Sequence, residues 1–197
     1  MSRVAAIILA AGTSSRFGGE KLLAPLDGRP ILQHVLDAAN ASTLDEIVVV
    51  VGHSAPRVLA GVRLGRARAV ANPEFARGQS TSLRAGLAAV ADADAAVVLL
   101  GDQPRIHAAL LEALVARQRA TGAAAVVSSW HGRRSPPALL GRALWPHLAT
   151  VTGDVGAREL LAGRDDVAVV EVTAALGSLE DVDSSDDIAR LKGAGPL

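Results

Sequence analysis

Cysteine is missing from this chain of 197 residues. Its absence removes disulfides, thiolate metal sites and cysteine nucleophiles together, and suits a reducing cytoplasm. Aromatic side chains are nearly missing as well: Phe17, Phe75, Trp130 and Trp145 are all there are. Base recognition by stacked rings is therefore a poor fit, and hydrogen bonds from backbone and small side chains are the expected substitute. Net charge is missing too, because 20 Lys and Arg balance 20 Asp and Glu. No global field recruits nucleic acid or an anionic membrane, so any electropositive site must be local. No basic leader, long apolar helix or small-residue cleavage site precedes the first strand. The expectation is a soluble, cytoplasmic, unprocessed chain.

What is present is apolar patterning. Half the residues are hydrophobic, enough for one α/β domain with a core on both faces of a sheet. Apolar runs at 4–9, 47–51, 96–100 and 124–127 read as buried parallel strands, with a weaker strand near 67–71. Between them, 31–41, 80–91 and 106–120 space apolar residues three and four apart, as helices do, with Pro30 early in the first. The stretch 128–138, carrying Pro136 and Pro137, breaks the alternation and predicts an excursion from the sheet. A helix over 154–162, a strand over 167–172 and a last helix over 185–191 follow. The expected fold is a single-domain, three-layer α/β/α, Rossmann-like arrangement with a mostly parallel sheet over residues 1–192, and 193–197 as a frayed tail.

The segment from Leu9 to Lys21, Leu-Ala-Ala-Gly-Thr-Ser-Ser-Arg-Phe-Gly-Gly-Glu-Lys, leaves the carboxyl end of the first strand. Open α/β sheets bind ligands at that edge, where glycine lets backbone N–H groups approach phosphate oxygens and basic side chains neutralise the remaining charge. Small residues with Arg16 and Lys21 suit a polyphosphate; an ordinary strand-to-helix turn is the alternative. Two commoner phosphate loops are excluded. A Walker A motif from Gly12 needs Gly and Lys where Phe17 and Gly18 stand, and the dinucleotide fingerprint needs Gly where Ser14 stands.

Four further stretches carry chemistry. Gly101-Asp102-Gln103-Pro104 puts a carboxylate at the end of a buried strand. It can bind Mg²⁺ that bridges phosphate oxygens, with Gly101 leaving room for a nucleotide, or it can cap the helix that follows. From Asn72 to Leu87, Gly78 bends the chain and Gln79 to Ser82 open a helix whose N–H groups and hydroxyls can meet a base edge or phosphate. Ser80 can instead simply cap that helix, with Gly86 a close-packing position inside it. Glu180 to Asp187 holds five carboxylates in eight residues, ordinarily a solvated helix start. Gly153-Asp154-Val155-Gly156-Ala157-Arg158 is a loop leading into a helix. His34, His53, His107 and His147 show no metal-ligand spacing with one another.

Taken in order, these stretches resemble the MobA-like nucleotidyltransferases over most of residues 5 to 190, and within them the molybdenum cofactor cytidylyltransferases. The resemblance implies a nucleotide site at Leu9, Ala10, Ala11, Gly12, Arg16, Lys21, Asn72, Gly78, Ser82, Gly101 and Asp102. It implies Mg²⁺ on Asp102 with Asp183 opposite, and acceptor contacts from Gln103, Asp154 and Arg158. Arg16, Lys21 and Asp102 are the implied catalytic groups. The implied reaction is attack of an acceptor phosphate on the α-phosphorus of CTP with release of pyrophosphate. The implied acceptor is molybdopterin carrying molybdenum, with an apo molybdenum hydroxylase downstream. Ala11 stands where guanylyltransferases of the family have Gly, which favours CTP over GTP. Two departures stand out: Ser184-Ser185-Asp186 replaces the usual Thr-Pro-Glu, and Ser135-Pro136 replaces His-Pro. A sugar phosphate or other phosphorylated acceptor, or a nucleotide-binding accessory protein without catalysis, fits the same residues.

Overall fold

The computed structural model describes residues 2–12, 17, 19–150, 152–153 and 157–193, with the backbone alone of 158 and 159. The chain opens with β1 (Val4–Ala10), a short hairpin of β2 (Pro25–Leu26) and β3 (Arg29–Pro30), and α1 (Ile31–Ala41). Next come β4 (Glu46–Val51), α2 (Ala55–Ala60), β5 (Arg68–Ala71), α3 (Gln79–Ala89), β6 (Ala95–Leu100) and α4 (Ala108–Thr121). The C-terminal part holds β7 (Ala125–Trp130), β8 (Arg133–Gly141), α5 (Trp145–Leu148), α6 (Arg158–Leu161), β9 (Val167–Glu171) and α7 (Ser185–Gly193).

Among the described residues seven strands form one sheet in the order β5-β4-β1-β6-β8-β7-β9. All run parallel except β8, which is antiparallel to both neighbours. β1 lacks a polar face because both its faces are covered. Val4, Ala6 and Ile8 join one core with Leu32, Val35 and Leu36 of α1 and Leu110, Leu111 and Leu114 of α4. Ala5 and Ile7 join the other, with Leu83 and Leu87 of α3, Leu148 of α5 and Leu161 of α6. Each Val, Leu or Ile among them contributes about 1.5–3 kcal/mol on burial. Gly86 is the expected close-packing position, since a Cβ there would collide with Ile7 Cγ2. This is one three-layer α/β domain with a mostly parallel sheet, as its sequence predicts. Among the described residues no helix is long and apolar enough to cross a membrane.

Two local expectations are corrected and one element is added. The stretch 128–138 does not leave the sheet but forms most of the β7–β8 hairpin. His131 and Gly132 both take positive φ, 51° and 74°, as a two-residue hairpin turn requires. The register shifts between Val127 and Ser128, and the buried Ser128 hydroxyl donates to Pro137 O at 2.6 Å, so the prolines sit at a bulge rather than in a regular ladder. The β2–β3 hairpin, turned by Asp27 and Gly28 at φ 48° and 76°, is an addition. α7 runs through Gly193, two residues beyond the expected end of the last helix; 194–197 lie outside the described residues.

Candidate active site

β4 and β5 lie on one side of β1 and β6 on the other, so the winding of the chain reverses between β1 and β6. The loops leaving those two strands bound a crevice at their carboxyl ends, the place where open α/β sheets take ligands. Gly101 N donates to Leu9 O at 2.9 Å and ties the second loop to the first strand. A Cβ at Gly101 would stand 3.1 Å from Leu9 O and 3.2 Å from Leu32 Cδ1. Glycine there keeps the second loop close against β1 and α1. Gly12, by contrast, has none of the described residues within 4 Å of where its Cβ would be.

Lys21, in a single 3-10 turn (Lys21–Leu23), reaches into the crevice. Its Nζ donates to Asp102 Oδ2 at 2.7 Å and to Asp183 Oδ1 at 3.1 Å. Burial alone would lower the Lys21 pKa, but Asp102 and then Asp183 outweigh it and hold the ammonium above its ordinary value. Partial burial, and after it Asp183 and Asp102, raise the carboxyl of nearby Asp181. Asp102 does not cap a helix, since α4 begins at Ala108 with His107 at its N-cap. Among the described residues Asp102 Oδ1 is buried without a hydrogen-bond partner, an acceptor in want of a cation or donor. Among the described residues no three His, Asp or Glu side chains are grouped to hold a metal. Mg²⁺ asks for less, typically one or two carboxylates beside substrate phosphates and water. Asp102 and Asp183 meet that requirement.

A cleft of about 190 Å³ opens beside these groups, with Ala11, Gly12, Lys21, Phe75, Ser82 and Asp102 in its walls and Leu9 and Ala10 among the rest of its lining. Asn72, expected to touch nucleotide, is 4% exposed and spent on the protein. Its Nδ2 donates to Thr81 Oγ1 at 2.8 Å and Ser82 Oγ at 2.9 Å, and its Oδ1 accepts from Glu74 N at 3.0 Å. Asn72 therefore orients Ser82, the expected base contact, which does line the cleft. Gly78 lines neither cavity; its φ is +106° and a Cβ would stand 2.6 Å from the Gly153 carbonyl carbon. It is the N-cap of α3, whose Ser80 N donates to Gly153 O at 3.0 Å. Ser80 is thus no cap, and among the described residues its hydroxyl is buried without a partner.

Leu9, Gln79 and Leu100 are shared with a second, larger cavity of about 1060 Å³. Gln103, Trp130, Arg133, Arg134, Ser135 and Asp181 are among its walls. Gln103 is 1% exposed; its Nε2 donates to Leu179 O at 3.1 Å and Ser135 Oγ at 3.3 Å, while its Oε1 is buried without a partner. Ser135, a departure from the family pattern, thereby braces the residue after Asp102. Arg16, Asp154 and the Arg158 side chain lie outside the described residues. Asp187, read from sequence as a helix-start charge, does more: its Oδ2 accepts from the Asp183 and Ser184 backbone. The Ser-x-x-Asp spacing of a capping box was the available signal.

The sequence profile of the MobA-like NTP transferase domain matches residues 6–169. The chain belongs to the MobA-like NTP transferase family. Nicotine blue oxidoreductase of Paenarthrobacter nicotinovorans is 31% identical over 95% of this MobA-like chain and 96% of its own length. The purine catabolism protein PucB of Bacillus subtilis is also 31% identical, over 95% of both chains. The bifunctional protein GlmU of Cupriavidus necator is 40% identical over 112 residues, 56% of this chain and 24% of GlmU, so the chain spans about a quarter of that relative. Among solved structures, a homologue of Mycobacterium tuberculosis Rv0371c from Mycobacterium sp. strain JC1 superposes with a TM-score of 0.84 at 33% identity, covering 98% of this chain and 96% of that one. Rv0371c in complex with manganese gives 0.79 at 27% identity, covering 98% and 100%.

Proposed function

We propose that this MobA-like NTP transferase moves CMP from CTP to the phosphate of a molybdopterin-type acceptor and releases pyrophosphate. The observation that carries this reading is the meeting of Lys21, Asp102 and Asp183 at the reversal point of the sheet, at one wall of a small cleft. A triphosphate entering along Gly12 meets backbone N–H groups and the Lys21 ammonium, with Arg16 as the second cation, and these neutralise the leaving pyrophosphate. Asp102 and Asp183 would hold Mg²⁺, which supplies charge screening at the α-phosphate when bound. That Rv0371c forms a complex with manganese supports a divalent cation as cofactor. Ser82, held by Asn72, presents its hydroxyl to the base, and the larger cavity receives the acceptor beside the cleft. A phosphate nucleophile is already ionised, so no general base is needed.

Full-length similarity to a purine catabolism protein and to nicotine blue oxidoreductase supports service to the breakdown of nitrogen heterocycles, where an apo molybdenum hydroxylase would be the downstream partner. The GlmU similarity supports a second reading, a sugar phosphate as acceptor. Pyrophosphate release from CTP, GTP, ATP and UTP, each with molybdopterin or a panel of sugar phosphates, decides among them. Turnover of CTP with molybdopterin is the expected result. A preference for GTP removes the cytidylyl assignment, a sugar phosphate substrate replaces the acceptor, and nucleotide binding without pyrophosphate from any pair makes the chain an accessory protein.

A further inference from the structure

We propose that Asp187 is a positioning residue: by accepting hydrogen bonds from the Asp183–Ser184 backbone, it sets the Asp183 carboxylate against Lys21. The inference rests on the assignment of Asp102 and Asp183 as the acidic pair of the site.

The Asp183 side chain is 59% exposed and meets Lys21 at 3.1 Å, so its place is determined by its backbone rather than by surrounding packing. That backbone is held from two sides. Val182 N donates to Asp102 O at 3.0 Å, and the fully buried Val182 side chain packs with Leu26, Ile31, Ile188 and Leu191. Beyond it, one oxygen of Asp187 accepts from Asp183 N at 3.0 Å, Ser184 N at 2.8 Å and Ser184 Oγ at 2.8 Å. Three donors on one oxygen are suited to an ionised carboxylate, whose hydrogen bonds are roughly twice as strong as neutral ones. The second oxygen is fixed as well, by Arg190 Nη1 at 3.0 Å, and Arg190 Nε lies 3.6 Å from Glu180 Oε1. Ser184 returns the contact, its Oγ accepting from Asp187 N at 3.3 Å.

This arrangement also explains how the chain tolerates Ser184-Ser185-Asp186 in place of Thr-Pro-Glu. Ser184 keeps the hydroxyl that the usual Thr carries, and the position after Asp186 keeps its carboxylate. The part that positions Asp183 is intact, while Ser185 and Asp186 point to no partner in that network. A cap that merely stabilised α7 would act on the melting temperature and leave the Lys21 contact alone; a positioning residue acts on that contact through Asp183 and on nothing else in the site.

The chain has two lysines, Lys21 and Lys192, so lysine labelled with ¹³C at Cε reports the contact directly, with Lys192→Arg giving the assignment. Asp187→Ala is expected to move the Lys21 resonance as Asp183→Asn does, and the double variant to match Asp183→Asn alone. Asp187→Asn, whose amide oxygen still accepts N–H bonds, restores part of the shift. Mn²⁺ titrated into the full chain with CTP, read by water-proton relaxation, is the second measurement. Asp187→Ala should weaken Mn²⁺ by about tenfold, the low end for supporting residues of a metal site, with no further loss in the Asp183→Asn background. A Lys21 resonance unmoved by Asp187→Ala, or an Asp187→Ala effect undiminished in the Asp183→Asn background, overturns the inference. If Lys21 responds but Asp183→Asn leaves Mn²⁺ binding unchanged, the positioning role stands and the metal assignment of Asp183 falls.

Discussion

Lys21 and Asp102, 81 positions apart in sequence, are joined by a bond of 2.7 Å. The ammonium occupies one oxygen of the carboxylate that the proposed metal would use and touches the second carboxylate, Asp183, as well. Lys21 and a divalent cation are therefore rivals for the charge of the same two carboxylates. A triphosphate relieves the rivalry, because its own charges draw Lys21 away from the aspartates. Metal and nucleotide should bind with positive coupling.

Replacing Lys21 by Met should accordingly move two affinities in opposite directions. Free Mn²⁺ should bind about tenfold more tightly, the equivalent of one pKa unit of released interaction, while CTP binds more weakly. Calorimetric titration of each ligand separately checks both signs. Weaker Mn²⁺ binding by Lys21→Met would sink the rivalry and make Lys21 a support of the metal site.

Asp102→Asn keeps the size of the side chain and leaves the backbone carbonyl that accepts from Val182 untouched. Melting temperature should change little. Turnover of CTP should fall by about 10²- to 10³-fold, the loss typical of one transition-state charge contact. Wild-type turnover at limiting Mg²⁺ would remove Asp102 from the reaction.

The proposed CTP preference turns on one methyl group. Ala11 is 7% exposed and lines the cleft, and glycine at 52 leaves room for its methyl, since a Cβ at Gly52 would stand 3.0 Å from Ala11 Cβ. Overpacking by a purine should cost about 1–3 kcal/mol, roughly ten- to a hundredfold in kcat/KM between CTP and GTP. Ala11→Gly should reduce that ratio, and an unchanged ratio would place the discrimination elsewhere.

Donors around Asp187, the Ser184 hydroxyl first and the Asp183 N–H next, hold its carboxyl below the ordinary value of 3.8. A depressed carboxyl contributes stability that is complete above that ordinary value and disappears as pH falls through the lower folded value. NMR should show the Asp183 and Ser184 amide resonances moving together in acid with a midpoint below 3.8. A midpoint at or above the ordinary value would mean that the bonds are too weak to hold the segment.

Sequence patterning was a good guide where burial on two faces dictated composition. The apolar runs of β1, β4 and β6 could hardly be anything but covered parallel strands, and their carboxyl ends located the crevice. The β7–β8 hairpin was hidden because Pro136 and Pro137 read as breakers; the Ser128 hydroxyl that serves Pro137 O is a tertiary fact. The β2–β3 hairpin was within reach, since Asp27-Gly28 is a strong two-residue turn signal. At the site, Lys21, Asp102 and Asp183 were named from motifs and do meet. Asn72 and Gly101 were named for ligand contact, yet one orients Ser82 and the other packs on β1. Residue type says that a position is constrained, and only geometry says by what.

The single reversed strand has a consequence for how such a protein can change. Because β8 runs against its neighbours, the turn at His131-Gly132 and the arginines after it rise at the same end of the sheet as the loops following β1 and β6. That projection is anchored in the half of the sheet that does not carry Gly12, Lys21 or Asp102. Chemistry at the hairpin tip can therefore be exchanged with little disturbance to the strands that serve the nucleotide. One scaffold gains a replaceable recognition arm beside a fixed reaction centre.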